Sequence, residues 1–321
     1  MIDFTRAFDS AWERMMVILF RPFDLGKWCV IGLSAFLAGF LSGGNGYNGA
    51  SFQNFNNFDR SSLNSGGAQA PSFEWHKFHD SITNALPGVQ MGLIILLVVV
   101  GFFIGLAIAL VIYWLGARGQ FLFLDNVVRN RGAIAWPWVT YARQTNSLFF
   151  FYLVVLAIAL VIFIPIIIVA VVMAIPLFQQ DRWPYGGEIG GFLALALVYL
   201  VLALGLNFIL FVFREFGVPL MFRNGLTARA AFGESMALLK EHPGSVIVFI
   251  LLRIAIAIGV AILSVIACCF TCCLELLPYV GTVILLPALV YVRCFSLDCL
   301  AQFGPQYDVW TVDVSPPPPP G

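Results

Sequence analysis

The stretch that decides the fold covers residues 207–249 and reads NFILFVFREFGVPLMFRNGLTARAAFGESMALLKEHPGSVIVF. It begins with the end of an apolar span that carries two charges, Arg214-Glu215. A break at Asn224-Gly225 follows, and then a segment that places apolar and charged residues at helical spacing. His242-Pro243-Gly244 stops that segment and opens a second apolar span. The stretch therefore predicts a span exit, a surface helix and the start of another span.

The composition is that of a membrane protein. Of the 321 residues, 60% are hydrophobic and 11% are charged, and the mean hydropathy is +0.92. A soluble domain has about 25% charged residues, so this chain lacks the polar side chains to coat a globule of its size. The net charge of zero gives no indication of nucleic-acid binding. We predict an all-α, polytopic transmembrane helical bundle with the lipid bilayer as its partner.

Apolar runs predict six spans and two polar segments. The spans cover about 24–42, 90–115, 148–178, 189–213, 246–277 and 280–301. The first is long enough to span only over that whole range. Residues 43–88 are rich in Gly and Asn and predict a loop with a short helix at 73–86. Residues 304–321 end in a proline run and predict a spacer.

Residues 4–20 have the pattern of an amphipathic helix. Apolar positions recur at helical spacing, and charged positions fall away from them. The apolar positions are Phe4, Phe8, Ala11, Trp12, Met15 and Leu19. Such a helix lies at the membrane interface. The alternative is that it packs on the cytosolic face of the bundle.

The chain also shows a weak internal repeat. Arg118, Arg214 and Arg293 each lie in the exit of the second, fourth and sixth span, before the break that follows it. Surface segments precede the first, third and fifth span. We predict a single domain, 1–303, of three tandem hairpins, at about 1–128, 129–223 and 224–303, each preceded by a cytoplasmic interfacial amphipathic helix. Because each unit has two spans, all units have the same orientation.

The distribution of Lys and Arg sets the orientation. The chain has 17 of these residues, and only Arg60, Lys77 and Arg182 lie on the side of the Gly/Asn-rich loop. Loops rich in Lys and Arg stay in the cytoplasm. We therefore expect both termini to be cytoplasmic and the loop to be extracytoplasmic.

The segment 218–244 also carries a resemblance to a known group of proteins. A cytosolic break, an Ala-rich helix containing Leu238-Leu239-Lys240, and His242-Pro243-Gly244 at the start of a span follow one another. The opening RAFDSAWERMMVILFRPFDLGKW is similar too. This layout resembles the membrane domain attached to some bacterial glycerophosphodiester phosphodiesterases, and related stand-alone polytopic proteins of unknown function. The resemblance implies an integral inner-membrane protein, and it carries over no catalytic residue.

Two clusters have the residue types of metal ligands. Cys268, Cys269, Cys272 and Cys273 place two pairs four apart on one helix, and thiolates at that spacing bind zinc or copper(I). His76 and His79 lie three apart in the loop. Buried cysteines, however, act as small hydrophobes, and no second ligand set accompanies either cluster. We therefore expect no metal and no cofactor.

The arginines carry the functional hypothesis. Arg118, Arg214, Arg253 and Arg293 are expected in the cytoplasmic third of the membrane, and we call them the arginine layer. Charge at that depth costs a few kcal/mol unless it is paired or snorkels to the interface. The candidate partners are Glu215, Asp125, Asp298 and Glu234. Besides structural pairing and snorkelling, the layer fits binding of an anionic lipid head group or anionic solute.

Three classes of function remain open. The first is a non-enzymatic scaffold or accessory protein that binds anionic lipid, and we rank it first. The second is a transporter of a small anionic solute or lipid, for which Pro165, Pro176 and Pro287 interrupt apolar spans. The third is a membrane-embedded enzyme, ranked last because no set of catalytic side chains is evident in the sequence.

Overall fold

A computed structural model describes residues 3–41, 90–179, 185–271 and 277–311. These residues form helices and no strand. The α-helices are α1 (Phe4–Phe20), α2 (Leu25–Gly39), α3 (Gln90–Val128), α4 (Ala135–Thr140), α5 (Ala142–Gln179), α6 (Gly186–Val212), α7 (Val218–Asn224), α8 (Ala228–Glu241), α9 (Pro243–Phe270), α10 (Pro278–Ile284) and α11 (Leu286–Ala301). A π-helical turn, Phe213–Gly217, joins α6 to α7. Residues Pro305–Tyr307 and Val309–Thr311 form two 3₁₀ turns.

The stretch 207–249 folds as the sequence predicts. The span exit continues through the π-turn and α7 to Asn224, and Gly225 follows with φ of 66°. This left-handed conformation favours glycine and ends the helix. Helix α8 then ends at Glu241, and Pro243 begins α9, where its missing N–H costs nothing.

Four of the described helices are long and apolar enough to cross a membrane. They contain residues Leu96–Val128, Ala142–Pro176, Gly186–Asn224 and Pro243–Phe270. These correspond to the second to fifth predicted spans, so the chain is a multi-pass membrane protein. The first predicted span is the apolar helix α2, which is shorter, with 15 residues. The sixth is divided at Leu285 into α10 and α11, because Pro287 cannot continue the hydrogen-bond ladder.

Helix α11 lies at the centre of the structure. It packs against α1, α2, α3 and α9, and most of its side chains are buried, including Phe295 and Leu297. A core helix surrounded by other helices is apolar around its whole circumference. The core therefore lies where the ends of the long helices meet the shorter ones.

Helix α1 packs against α11. Its buried residues are Ala7, Ala11, Met15, Ile18 and Leu19. Trp12, which the sequence analysis placed on the apolar stripe, is 59% exposed. The two alanines let α1 approach α11 closely, which shifts the buried face away from Trp12. The buried face of α1 therefore supports the second interpretation of residues 4–20, in which this helix packs on the bundle.

Helix α2 packs closely against helix α3. A Cβ added to Gly119 of α3 would lie 2.3 Å from the backbone nitrogen of Ala38, and one on Gly116 would lie 2.9 Å from that of Leu41. Small residues at these positions let two backbones approach. This contact holds the short helix α2 against a long apolar helix.

The surface segments contact the exits of spans in a regular way. Helix α4 contacts α3, α8 contacts the π-turn and α7, and α1 contacts α11. The second and third surface segments therefore pack beside the exit of the predicted hairpin that precedes them in the chain. The first segment, α1, packs beside α11, which is the exit of the third predicted hairpin. The division into three units stays a prediction.

Of the two predicted polar segments, the structure describes only the first part of the tail. The Gly/Asn-rich loop, with the helix expected at 73–86, lies outside the described residues. The first part of the predicted tail is folded, because Val309 is buried and Trp310 covers the guanidinium of Arg14 at 3.9 Å. Its apolar residues explain why 305–311 are not a spacer. The proline run lies outside the described residues.

Candidate functional site

Three members of the arginine layer come together around Glu215. Arg253 pairs with Glu215, with Nη2 3.2 Å from Oε1. Arg293 lies within electrostatic range of Glu215 and of Arg214. We call Arg214, Arg253 and Arg293 the arginine cluster. It combines side chains from the π-turn, α9 and α11, which are far apart in the sequence.

The π-turn gives Arg214 and Glu215 their positions. Its two phenylalanines are fully buried: the ring of Phe213 lies 4.5 Å from that of Phe151, and that of Phe216 lies 5.0 Å from that of Phe249. A Cβ on Gly217 would meet the Phe213 ring at 2.4 Å, so this glycine makes room for it. π-turns inside α-helices are rare and occur often at functional sites.

The pair between Glu215 and Arg253 is buried, with both side chains at most 5% exposed. Two buried charges are tolerated in an apolar environment only when they are paired. The pair also shows how the helices run. Glu215 meets Arg253 while Phe216 meets Phe249, so α6 with its exit and α9 are antiparallel here.

A groove of about 700 Å³ opens beside the arginine cluster. Side chains from α3, α5, α6, the π-turn and α9, together with Leu41, line it. The lining residues are Leu41, Tyr113, Tyr152, Leu204, Asn207, Phe208, Leu210, Phe211, Arg214, Ile250, Arg253, Ile254 and Ala257. Its volume falls within the range of about 300–1,000 Å³ that is typical of small-molecule sites.

The groove is charged at one end and apolar at the other. On α6, Leu204 lies ten residues before Arg214, which is about 15 Å along a helix at 1.5 Å per residue. Because α9 runs the opposite way, Arg253 lies at the end of Arg214 and Ala257 lies toward Leu204. The groove thus has the shape and polarity of a site for a molecule with an anionic head and an apolar tail.

Arg118 is not part of this site. Its guanidinium lies over the rings of Trp114 at 5.0 Å and Trp138 at 5.1 Å. Its Nη1 donates to the carbonyl oxygen of Trp138. These contacts hold the short helix α4 against α3, which is a structural role.

Only Glu215 among the candidate carboxylates pairs with the arginine layer within the described chain. Asp125 is fully buried and binds Arg129 at 3.0 Å and Arg131 at 2.8 Å. Asp298 binds Arg14 at 3.2 Å. The last candidate, Glu234, is exposed on α8.

Asp125, Arg129 and Arg131 form a group that we call the Asp125 cluster. The hydroxyl of Tyr141 also belongs to it and donates to Oδ1 of Asp125 at 3.2 Å. Burial raises the pKa of Tyr141 to about 12, and the negative charge of Asp125 adds to the rise. The hydroxyl therefore remains a donor at neutral pH. The guanidinium of Arg131 lies over the ring of Trp136, with Cζ 4.2 Å from the ring centroid. The Asp125 cluster joins the end of α3 to the start of α5.

The structure adds residues that the sequence analysis missed. Tyr113 and Tyr152 line the groove with their rings 6.4 Å apart, and Tyr152 is an electrostatic neighbour of Arg214 and Arg293. In the sequence they look like other aromatic residues near span ends. Asn207 also lines the groove, and its Nδ2 donates to Ala203 O of its own helix at 2.8 Å.

The cysteine and histidine hypotheses find little structural context. Cys269 is exposed near the end of α9, and Cys268 is half-buried. Cys272, Cys273 and both loop histidines lie outside the described residues. Within the described part of the chain, no three His, Cys, Asp or Glu side chains are grouped as metal ligands would be.

The helices and the groove define an all-helical, multi-pass membrane protein with an arginine-ended apolar groove. The chain belongs to a family of unknown function, DUF7544, whose model matches residues 2–297. It matches no curated protein and no solved structure. The resemblance to the membrane domains of phosphodiesterases stays a prediction.

Proposed function

We propose that this protein is a non-enzymatic scaffold or accessory protein of the bacterial inner membrane that binds an anionic amphiphile in the groove. The arginine cluster holds the anionic head group, and the aliphatic residues hold the tail. The observation that carries this proposal is the polarity of the groove: Arg214 and Arg253 lie at one end, and Leu204 and Ala257 lie toward the other.

The chemistry of the lining supports binding rather than catalysis. Apart from the two arginines, the polar residues among the described lining are Tyr113, Tyr152 and Asn207. Glu215, the carboxylate beside the groove, is engaged with Arg253. The described lining thus offers donors for an anion, and no pair of a nucleophile and a base.

The proposal includes six spans with both termini in the cytoplasm. Helix α2 packs closely along α3, and α10 with α11 continues in the core, which supports two further crossings of the bilayer. Reporter fusions after Ser65 and after Gly321 should then report opposite sides of the membrane. If both report the same side, the six-span topology is wrong.

Lipid retention tests the binding proposal. Wild-type protein, Arg214→Lys and Arg214→Gln are purified in mild detergent, and the bound lipids are extracted and measured by mass spectrometry. Lysine keeps the charge but loses the planar fork that binds two oxygens of a phosphate. We expect Arg214→Lys to retain less anionic lipid than the wild type, and Arg214→Gln to retain the least.

The matched control is Arg229→Gln, which removes an arginine from the exposed face of α8. It should retain as much anionic lipid as the wild type. If both Arg214 variants also retain the wild-type amount while remaining folded, Arg214 is structural and the groove is not the lipid site.

The alternative of transport uses the same groove. The backbone is irregular at the π-turn beside it and at Leu285 in the core, and such breaks in spanning helices occur in transporters. Liposomes that contain the purified protein distinguish the two functions. Movement of a fluorescent anionic lipid between leaflets, lost in Arg214→Gln, would favour transport over a scaffold.

A further inference from the structure

The charges around the groove are not balanced. Glu215 is paired with Arg253 at 3.2 Å. Arg214 and Arg293 form no hydrogen bond or ion pair with any residue that the structure describes, and Nε of Arg293 is buried. Arg214 lines the apolar groove, and Arg293 lies within electrostatic range of Glu215 and of Arg214. The three arginines thus bring two more positive charges to this place than the single carboxylate of Glu215 neutralises.

Such an arrangement costs free energy when the site is empty. A guanidinium inside a membrane protein is costly unless it is paired or reaches water, and two neighbouring guanidinium groups repel each other. Tyr152 lies close to both arginines and is buried, so it adds a neutral hydroxyl group and no negative charge. A ligand that carries two negative charges would neutralise the site.

We propose that the head group held here is a dianion, a terminal phosphate monoester or a diphosphate, bound between Arg214 and Arg293. This inference rests on the proposed function and specifies the ligand class of the same groove. A terminal phosphate offers three oxygens and nearly two charges at neutral pH, since its second pKa is about 6. A phosphodiester carries one charge and would leave one arginine without a counter-ion.

The position of the dianion follows from the groove. Arg214 lines the groove at its charged end, and Arg293, on the core helix α11, lies within electrostatic range of Arg214. A phosphate between them leaves the Glu215–Arg253 pair intact. The acyl or prenyl part of the ligand then runs along α6 toward Leu204.

The test compares two lipids with identical acyl chains but different head-group charge. The full chain is reconstituted in nanodiscs of a zwitterionic lipid that contain either phosphatidic acid or phosphatidylglycerol, and bound lipid is counted by native mass spectrometry at pH 8. We expect a preference of about tenfold or more for phosphatidic acid, equivalent to about 1.4 kcal/mol. Arg293→Gln should remove the preference and retain phosphatidylglycerol.

A second measurement does not depend on the folding of a variant. At pH 5 the phosphate monoester carries about one charge, because its second pKa is about 6, whereas the arginines stay protonated. The preference of the wild type for phosphatidic acid should therefore disappear at pH 5. Arg229→Gln, the exposed control, should keep the preference at pH 8.

The outcomes separate this inference from the proposed function. Equal binding of both lipids at pH 8 would overturn the dianion and leave the lipid site in place. Binding of neither lipid would overturn both. Inorganic phosphate that competes as strongly as phosphatidic acid would support the dianion and assign the site to a soluble phosphate, against the amphiphile.

Discussion

The indole Nε1 of Trp28 donates a hydrogen bond to the carbonyl oxygen of Val283 at 3.2 Å. Val283 lies four residues before Pro287, and the proline has no N–H to offer that carbonyl. Trp28 of α2 therefore gives this carbonyl a side-chain donor at the break between α10 and α11, where the N–H of Leu285 also points toward it. The first and the last predicted spans are joined through this bond, which explains how a proline is tolerated beside the core.

Replacing Trp28 by phenylalanine tests the bond. Trp28→Phe keeps an aromatic ring but removes the N–H, and a hydrogen bond of this kind contributes about 0.5–1.5 kcal/mol. We expect a lower thermal unfolding midpoint in detergent than for Trp12→Phe, whose tryptophan is exposed. Pro287→Ala restores an N–H within α11, so Trp28→Phe should cost less in that background. An equal cost with and without Pro287 would show that the carbonyl is not the reason.

The close pair of α2 and α3 gives a second prediction. A Cβ at Gly119 would lie 2.3–2.5 Å from the chain at Leu37 and Ala38, so Gly119→Ala must push the helices apart. Overpacking of this kind costs about 1–3 kcal/mol. Gly105→Ala is the control on the same helix, because its Cβ would meet nothing within 4 Å. It should be neutral or slightly stabilising, and unfolding of both variants in detergent measures the difference.

The sequence predicts the long helices of this protein better than its short ones. Uninterrupted apolar runs and the breaks at Gly225 and Pro243 are local signals, and the helices follow them. The division at Leu285 follows from Pro287, which lies inside the sixth apolar run. The shortness of α2 depends on packing against other helices, which no local pattern contains. The exposure of Trp12 has the same origin, because the facing surface of α11 decides which side of α1 is buried.

The candidate site could be predicted only in part. The arginines are visible in the sequence because charge is rare in apolar spans, and Glu215 was among their candidate partners. The position of Arg118 outside the groove could not be predicted, because its guanidinium lies over Trp138, which comes from another helix. The π-turn adds one residue to a helical turn, and the apolar pattern around Arg214 does not reveal it.

The buried ion pair gives a third prediction. Glu215→Gln leaves the guanidinium of Arg253 without its carboxylate in a buried place, and breaking such a pair costs about 3–5 kcal/mol. Arg253→Gln should cost a similar amount. The double variant should cost clearly less than the two together, because no unbalanced charge remains from the pair. The unfolding free energies of the wild type, the two single variants and the double variant, measured in detergent, give the coupling energy between Glu215 and Arg253.

The pair of Arg14 and Asp298 is the comparison for that cycle. Arg14 is 40% exposed, and ion pairs open to solvent are worth about 0–1 kcal/mol. Arg14→Gln should therefore cost far less than Arg253→Gln. Similar costs for the two arginines would mean that burial does not govern the strength of the pair at Glu215.

The last prediction concerns pH and the hydroxyl of Tyr141. Tyr141→Phe keeps the ring, which lies 5.0 Å from that of Phe222, and removes only the hydrogen bond to Asp125. A hydrogen bond to a charged group contributes about 1.5–3 kcal/mol, so the variant should be less stable at pH 8. The Asp125 carboxylate keeps its two arginine partners, and the helices should remain in place.

The difference between the wild type and Tyr141→Phe should shrink at alkaline pH. The unfolded tyrosine ionises near its ordinary pKa of about 10, whereas burial and Asp125 raise the folded pKa to about 12. The stability that the hydroxyl contributes is therefore complete below pH of about 10 and is lost as the pH rises toward 12. Unfolding in detergent at pH 8 and pH 11 measures the effect on both proteins, and the other tyrosines cancel in the comparison. A difference that stays constant over this range would show that the Tyr141 hydroxyl is not held as a buried donor to Asp125.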